Sequence, residues 1–309
     1  MFLMIRPGMT RRKKSLTGNK KMGHFHLEFG RFHLDLGSRA CVMGVLNVTP
    51  DSFSDGGRFA TYETAVAQGL RLAEQGAQIL DIGGESTRPF SKPVSEQEEM
   101  DRVIPVIQTL AKKIPIPISI DTVKSGVAKA ALDAGAAMVN DISAFEQDPA
   151  MADLAARYQV PVVLMHMKGT PETMQVNPDY DDLMSEITDY LAARAAFAVS
   201  RGIPRQHIIL DPGIGFGKTV HHNLVLINSL EKLQALGFPI LMGPSRKSFI
   251  QNILNKHSPD KTKKDPEKIE TGTLAAVGAC LSAGAHIVRV HDVVRAVTFT
   301  RVFDAIRNA

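Results

Sequence analysis

Residues 43–59 read MGVLNVTPDSFSDGGRF. They continue an apolar run, Val42–Leu46, of the kind that fills a buried strand, and the run stops at an amide, Asn47. A long polar loop follows, through Thr49, Pro50, Asp51, Ser52, Ser54, Asp55, Gly56 and Gly57, with Phe53 as an isolated aromatic inside it. A strand buried on both faces that ends in a polar group and enters such a loop matches the catalytic end of a (β/α)8-barrel strand. The loop reads either as a cover over a site for a phosphorylated ligand or as a surface turn carrying a stray aromatic. Repetition decides between the two, because the pattern returns seven more times.

Apolar runs begin near Val42, Ile79, Ile118, Met138, Val162, Ile208, Ile240 and Ile287. Their polar stops are Asn47, Asp81, Asp121, Asn140 with Asp141, His166, Asp211, Ser245 with Arg246, and Arg289 with His291. Between them lie amphipathic segments closed by glycine: Tyr62–Gln75 by Gly76, Ser125–Ala134 by Gly135, Asp179–Arg201 by Gly202, Val220–Leu236 by Gly237. Ser95 with Glu98 predicts a capping box for the helix running to Lys112, and Asp292–Asn308 is the last helix. Eight such units make an α/β chain, a (β/α)8 TIM barrel. A doubly wound sheet shares the alternation, but eight strands with no GxGxxG fingerprint argue against it. No linker interrupts the rhythm, so a two-domain division is weaker still, and residues 22–309 read as one domain.

The ends of the chain differ from this body. Residues 1–21, with Arg11-Arg12-Lys13-Lys14, read as a disordered basic lead or an early start, since Met9 and Met22 are alternative starts. The segment His24–Leu36 alternates around Phe29-Gly30-Arg31-Phe32, which predicts a β-hairpin plugging the closed end of the barrel, its histidines structural. The polar, Lys-rich segment His257–Glu267 reads as a flexible insertion.

With 309 residues, 44% hydrophobic and 22% charged, the chain suits one large soluble domain. The formal charge of +4 gathers in the lead and around Lys261–Lys264, and tryptophan is absent. Nucleic acid is therefore not the favoured partner, and the charge leaves anionic small molecules open as partners. Cys41 and Cys280 have no metal-ligand spacing and read as buried thiols of a reducing cytoplasm. No apolar run reaches the roughly 18 residues of a membrane span.

In a barrel the strand stops share one mouth, which gathers Asn47, Asp81, Asp121, Asn140, His166, Asp211, Lys247, Arg289 and His291. Taken singly, Asp81 reads as a helix N-cap or a support for its neighbours, Asn140–Asp141 as a turn, and His166 as a core histidine. Together, so many buried polar groups need a ligand or one another. Two carboxylates, an amide and a lysine suit a flat heterocycle with donors and acceptors along one edge, because a carboxylate accepts a pair of N–H bonds from an amino-pyrimidinone. Asp211–Lys218, DPGIGFGK, lacks the GxxxxGK[ST] spacing of an ATP loop; its glycines are expected to let backbone approach a planar ligand beside Phe216. The loop GGESTRPFSKP, Gly83–Pro93, folds over the mouth or is simply solvated.

These residues resemble the dihydropteroate synthase family. The matching segments are GVLNVTPDSFSDGG, LDIGGESTRP, ISIDT, VNDIS, LMHMKGTPETMQ, LDPGIGFGK, SRKSF, GT with its following alanines (Gly272–Ala276) and RVHDV, across Val42–Arg295. The first two separate this family from the other barrels that bind pterins, such as methyltetrahydrofolate methyltransferases. The resemblance implies condensation of 6-hydroxymethyl-7,8-dihydropterin diphosphate with 4-aminobenzoate, giving dihydropteroate in folate biosynthesis, with sulfonamides as inhibitors. It implies a pterin pocket of Asp121, Asn140, Met165, Asp211, Phe216, Lys247 and Arg289. It implies a diphosphate site of Asn47, Arg289 and His291, with Mg2+ at Asn47, and a 4-aminobenzoate site of Phe53, Thr87, Arg88, Pro89 and Ser248. Asp121, Arg88 and Lys247 would be the catalytic residues, and the enzyme a cytoplasmic homodimer joined through helices near the C-terminus. Phe90 departs from the glycine common after Arg88-Pro89 in the family. The rival readings are a methyltransferase, in which Asn47 and Arg88 would have no purpose, and a pterin-binding protein without activity.

Overall fold

The computed structural model describes residues 23–49, 57–86, 91, 93–170, 173–174, 178–256 and 265–309, with 57–61 described in backbone only. The basic lead, most of the Lys-rich insertion, Phe53, Thr87, Arg88, Pro89 and Phe90 lie outside the described residues.

A hairpin opens the described chain: β1 (Phe25–Phe29) pairs antiparallel with β2 (Phe32–Leu36) across Gly30, at φ 53°. Eight parallel strands follow: β3 (Cys41–Asn47), β4 (Ile79–Gly83), β5 (Ile118–Asp121), β6 (Met138–Asp141), β7 (Val162–Met165), β8 (Ile208–Asp211), β9 (Leu241–Met242) and β10 (Ile287–Val290). The order β8-β7-β6-β5-β4-β3-β10-β9 becomes a ring where Leu210 N–H donates to the Pro239 carbonyl at 2.9 Å and Leu210 bridges Ile240. The barrel forecast from the eight runs is the observed fold.

Helices connect the strands: α1 (Gly57–Glu74), α2 (Glu96–Leu110), α3 (Ser125–Asp133), α4 (Ala150–Tyr158), α5 (Leu183–Ser200), α6 (Val220–Asn228), α7 (Glu231–Gln234), α8 (Ser248–Lys256), α9 (Pro266–Ser282) and α10 (Val293–Arg307). Four sequence expectations change here. The fifth starts at Leu183, because the Asp182 carboxylate accepts from Met184 and Ser185 N–H and caps it there. The Val220–Leu236 segment divides into two helices around Ser229-Leu230, and Pro266 and Glu267 open α9 behind an Asp265 cap. Only half of the predicted capping box forms: Ser95 accepts from Glu98 N–H, while the Glu98 carboxylate turns to Arg102.

Side chains alternate along a strand, and this alternation divides the core in two. Outward residues such as Leu80, Ile82, Ile120, Val139, Leu164, Leu210 and Val288 pack with the helices. The other parity faces into the barrel. At its closed end Met43, Ile79, Met138, Val163, Ile209, Leu241 and Ile287 pack against Leu27, Phe29, Leu34 and Leu36 of the hairpin. The hairpin is the plug that its pattern predicts, and its apolar face supplies what a short barrel needs to exclude water at one end. Full burial of Leu27 and Leu36 contributes about 1.5–3 kcal/mol each. His26, Glu28, His33 and Asp35 occupy the opposite, exposed face.

Candidate active site

Two residues beyond four of the seven plug-facing strand positions, the same parity turns polar. Ile79 leads to Asp81, Met138 to Asn140, Ile209 to Asp211 and Ile287 to Arg289; Val163 leads to Met165. Asn47, Gly83, Asp121 and Asn140 follow one another in register across β3 to β6.

Arg289 stands at the centre. Its Nε donates to Asp81 Oδ2 at 2.6 Å and one terminal nitrogen to Asp121 Oδ2 at 2.7 Å. Asn140 Nδ2 donates to the same Asp81 oxygen at 3.1 Å. Asp81 is fully buried in mid-strand, so it is not an N-cap; its carboxylate orients both Arg289 and Asn140. It shares the inward parity of Ile79, which the structure places against the hairpin. Burial raises the Asp121 carboxyl above the usual carboxylate range, and Arg289 opposes the rise. Burial alone would lower the Arg289 pKa, but Asp81 and Asp121 reverse that and keep it charged.

Asp211 and Lys247 form the other side. Burial pushes the Asp211 carboxyl up to about 6, against the Gly213 N–H that donates to Oδ1 at 2.7 Å. Lys247 is pushed down to about 8 by burial and by Arg289, with Asp211 and Asp121 pulling the other way. Its ammonium lies 3.9 Å from the centroid of the Phe216 ring. It crosses Gly215, where a Cβ would fall 2.9 Å from Lys247 Cδ. Before it, Arg246 holds a left-handed φ of 58°, fixed by its N–H to Thr273 Oγ1 and its guanidinium to Glu270 on α9. That turn presents Lys247 to the mouth and begins α8 at Ser248.

Phe216 and Met165 pack with Ile142 and Met174 into a small apolar wall separate from both larger cores. The glycines of the β8–α6 loop serve a purpose the sequence reading did not assign: they let protein pack on protein. A Cβ on Gly213, at φ 73°, would sit 1.9 Å from the His166 carbonyl oxygen.

His291 Nδ1 lies 2.9 Å from Ser245 Oγ at the rim. Beside it opens a cavity of about 480 Å³ lined in part by Gln68, Arg71, Arg246 and Arg295. His166 does not join the mouth; it is buried against Tyr190 and Lys218, the core-histidine reading of the sequence. Asp121, Asn140, Asp211, Lys247, Arg289, Met165 and Phe216 come together around one cup, with Asn47 and His291 at strand ends on its rim. The arrangement offers a flat ring hydrogen-bond partners on its edge, an apolar wall on its face and cations at its anionic end.

The pterin-binding enzyme family model matches residues 43–291. A dihydropteroate synthase of Synechocystis is 47% identical over 270 residues, 87% of this chain and 91% of that protein. The chain belongs to the dihydropteroate synthase family. A Xanthomonas albilineans dihydropteroate synthase solved with 4-aminobenzoic acid superposes with a TM-score of 0.85 at 43% identity, over 93% of this chain and 100% of that one. A Yersinia pestis dihydropteroate synthase solved with a sulfonamide drug gives 0.84 at 42% identity, over 92% and 100%. The family places the chain among transferases of folate biosynthesis with a pterin-binding TIM barrel.

Mg2+, implied by the resemblance, can be tested against the donors. Among the described residues no three His, Cys, Asp or Glu side chains gather to hold a metal. Asp81 and Asp121 are committed to Arg289, which leaves the Asn47 amide oxygen at the end of β3. One protein oxygen, with phosphate oxygens and waters completing the shell, fits Mg2+ that arrives with a diphosphate.

Proposed function

We propose that this chain makes dihydropteroate by joining 6-hydroxymethyl-7,8-dihydropterin diphosphate to 4-aminobenzoate, with the roles in the mouth divided as follows. Asp211, Asn140 and Lys247 bind the edge of the pterin, and Met165 and Phe216 flank its face. Arg289 lies against the ring and, with His291 and Asn47, meets the diphosphate. Mg2+, held by Asn47 and the diphosphate, would neutralise part of the leaving group's charge. Asp121 faces the pterin methylene and stabilises the positive charge that grows there as the diphosphate departs. The nitrogen of 4-aminobenzoate then attacks that carbon. Ser248 belongs to the 4-aminobenzoate side, and the roles of Phe53, Thr87, Arg88 and Pro89, with Arg88 catalytic, rest on the resemblance.

The observation that carries this reading is Arg289 held between two buried carboxylates at the floor of a cup that also contains an amide, a lysine and an apolar wall. Such a floor accommodates both a developing cation, on the carboxylates, and a departing anion, on the guanidinium. No nucleophile–base pair is required. The test is to mix protein, both substrates and Mg2+ and follow diphosphate release with and without 4-aminobenzoate. Aminobenzoate-dependent release supports the reading; pterin binding without turnover supports a binding protein. Asp121→Asn is expected to retain much of the pterin affinity and lose most turnover, and unchanged turnover would remove its charge role.

We also propose a single domain over residues 22–309, a cytoplasmic location and a homodimer. Val294, Val302 and Ile306 are exposed on α10 at spacings of eight and four, one helical face, which supports pairing with a second copy near the C-terminus. Burial pushes both thiols up to about 12, in keeping with unreactive cysteines. No helix among the described residues is long and apolar enough to cross a membrane. Sedimentation of the purified chain tests the dimer.

A further inference from the structure

One buried lysine has no part in the mechanism above. Lys218 closes the glycine-rich loop and is only 3% exposed. Its Nζ donates to the Phe216 carbonyl at 2.9 Å and to His166 Nδ1 at 3.0 Å. Burial, then the neighbouring Lys218, pushes His166 down to about 3, so its imidazole is neutral and Nδ1 offers a lone pair to the Lys218 amino group, whose own pKa burial lowers to about 7. His166 is itself fixed, its ring edge-on to Tyr190 at 5.0 Å between centroids and its backbone N–H donating to the Asp211 carbonyl at 2.9 Å. Tyr180 adds a second tie, its hydroxyl donating to the Gly217 carbonyl at 2.7 Å.

The geometry matters because of what the loop carries. Asp211 precedes it, and its carboxylate accepts from Gly213 N–H. Phe216 lies within it and faces Met165 and Lys247. A lysine buried this deeply is costly unless its donors are used, and here one holds the Phe216 carbonyl within the loop while another joins the loop to His166, just past the end of β7.

We infer that Lys218 is a positioning residue for the pterin pocket, locking the β8–α6 loop onto His166 so that the Phe216 ring and the Asp211 carboxylate hold the spacing of a flat ring. The inference rests on the assignment of Asp211 and Phe216 to the pterin. Lys218 is not a catalytic residue, because it touches the loop rather than the reacting atoms.

The test uses the full-length enzyme and 6-hydroxymethylpterin, which keeps the amino-pyrimidinone edge but lacks the leaving group. Calorimetric titration of Lys218→Ala is expected to show about tenfold weaker binding, the scale of one charge-assisted hydrogen bond. Ethylammonium in the buffer is expected to restore part of it by refilling the vacated site. In turnover, KM for the pterin substrate rises by a similar factor, while kcat and KM for 4-aminobenzoate stay within about twofold. Lys218→Met, which keeps the volume, is expected to bind as weakly and to resist rescue, and it replaces the alanine variant if that one does not fold. Wild-type pterin affinity in either variant, or a uniform loss of kcat with KM unchanged, overturns the inference. Asp211→Asn is the control: if it binds the pterin normally, the pocket assignment fails as well; if it alone loses binding, only the role of Lys218 fails.

Discussion

Asp211→Asn separates what the site costs from what it does. The folded protein raises the Asp211 carboxyl from 3.8 to about 6, chiefly by burial. A shift of about two units corresponds to roughly 3 kcal/mol favouring the protonated form in the folded state. Because the folded pKa lies above the unfolded one, the native state holds a proton that the unfolded chain has released between pH 3.8 and about 6. Stability therefore falls as pH rises through that window and stays lowered above it. Attraction from Lys247 and Lys218 is already contained in the shift. An asparagine has no charge to desolvate, and its Oδ1 still accepts from Gly213 N–H, so the loop keeps its turn. Urea unfolding at pH 8 is expected to find Asp211→Asn more stable than the parent by about 1–3 kcal/mol, the gap closing towards pH 4. Pterin binding moves the other way, weakening about 10- to 100-fold with loss of the charged acceptor. A variant no more stable at pH 8, or one whose stability tracks the parent at every pH, would refute the claim that a buried charge is held here for function.

Arg289→Lys removes the fork that reaches Asp81 and Asp121 together, leaving one buried carboxylate unpaired. It should cost about 3 kcal/mol in urea unfolding and lower kcat/KM by at least about 100-fold. The pH profile of kcat/KM should be bell-shaped: on the acid side the raised carboxyls of Asp121 and Asp211 protonate and stop accepting, and on the alkaline side Lys247, at about 8, loses its ammonium. A flat profile between pH 6 and 9, on the order of those values, would contradict the assignment. Leu27→Ala empties part of the plug far from the mouth; about 2–5 kcal/mol of stability should be lost with KM for both substrates unchanged, which thermal melts and steady-state kinetics would show together.

Much of this protein was legible in one dimension. The eight apolar runs, the glycines at Gly135 and Gly202 with φ of 110° and 93°, and the hairpin each follow from local backbone and burial rules, which is why they stand where the pattern placed them. The site residue types were legible for the same reason, since a polar group ending a buried strand is conspicuous. Helix boundaries such as that of α5 were not, because the cap that fixes them is a choice among several aspartates in one stretch.

Inward and outward directions were beyond the sequence. Each run is apolar at successive positions, so nothing in it marks which parity meets the helices and which the barrel axis. Closure of the ring makes that choice for all eight strands at once, pressing Ile79 and Ile209 onto the hairpin and thereby turning Asp81 and Asp211 towards Arg289 and Lys247. The same closure leaves His166 out of the cup and joins it to Lys218. Chain order supplied the chemistry of the groups; their partners and their charges depend on distances between residues as far apart as Asp81 and Arg289, and only packing in three dimensions sets those.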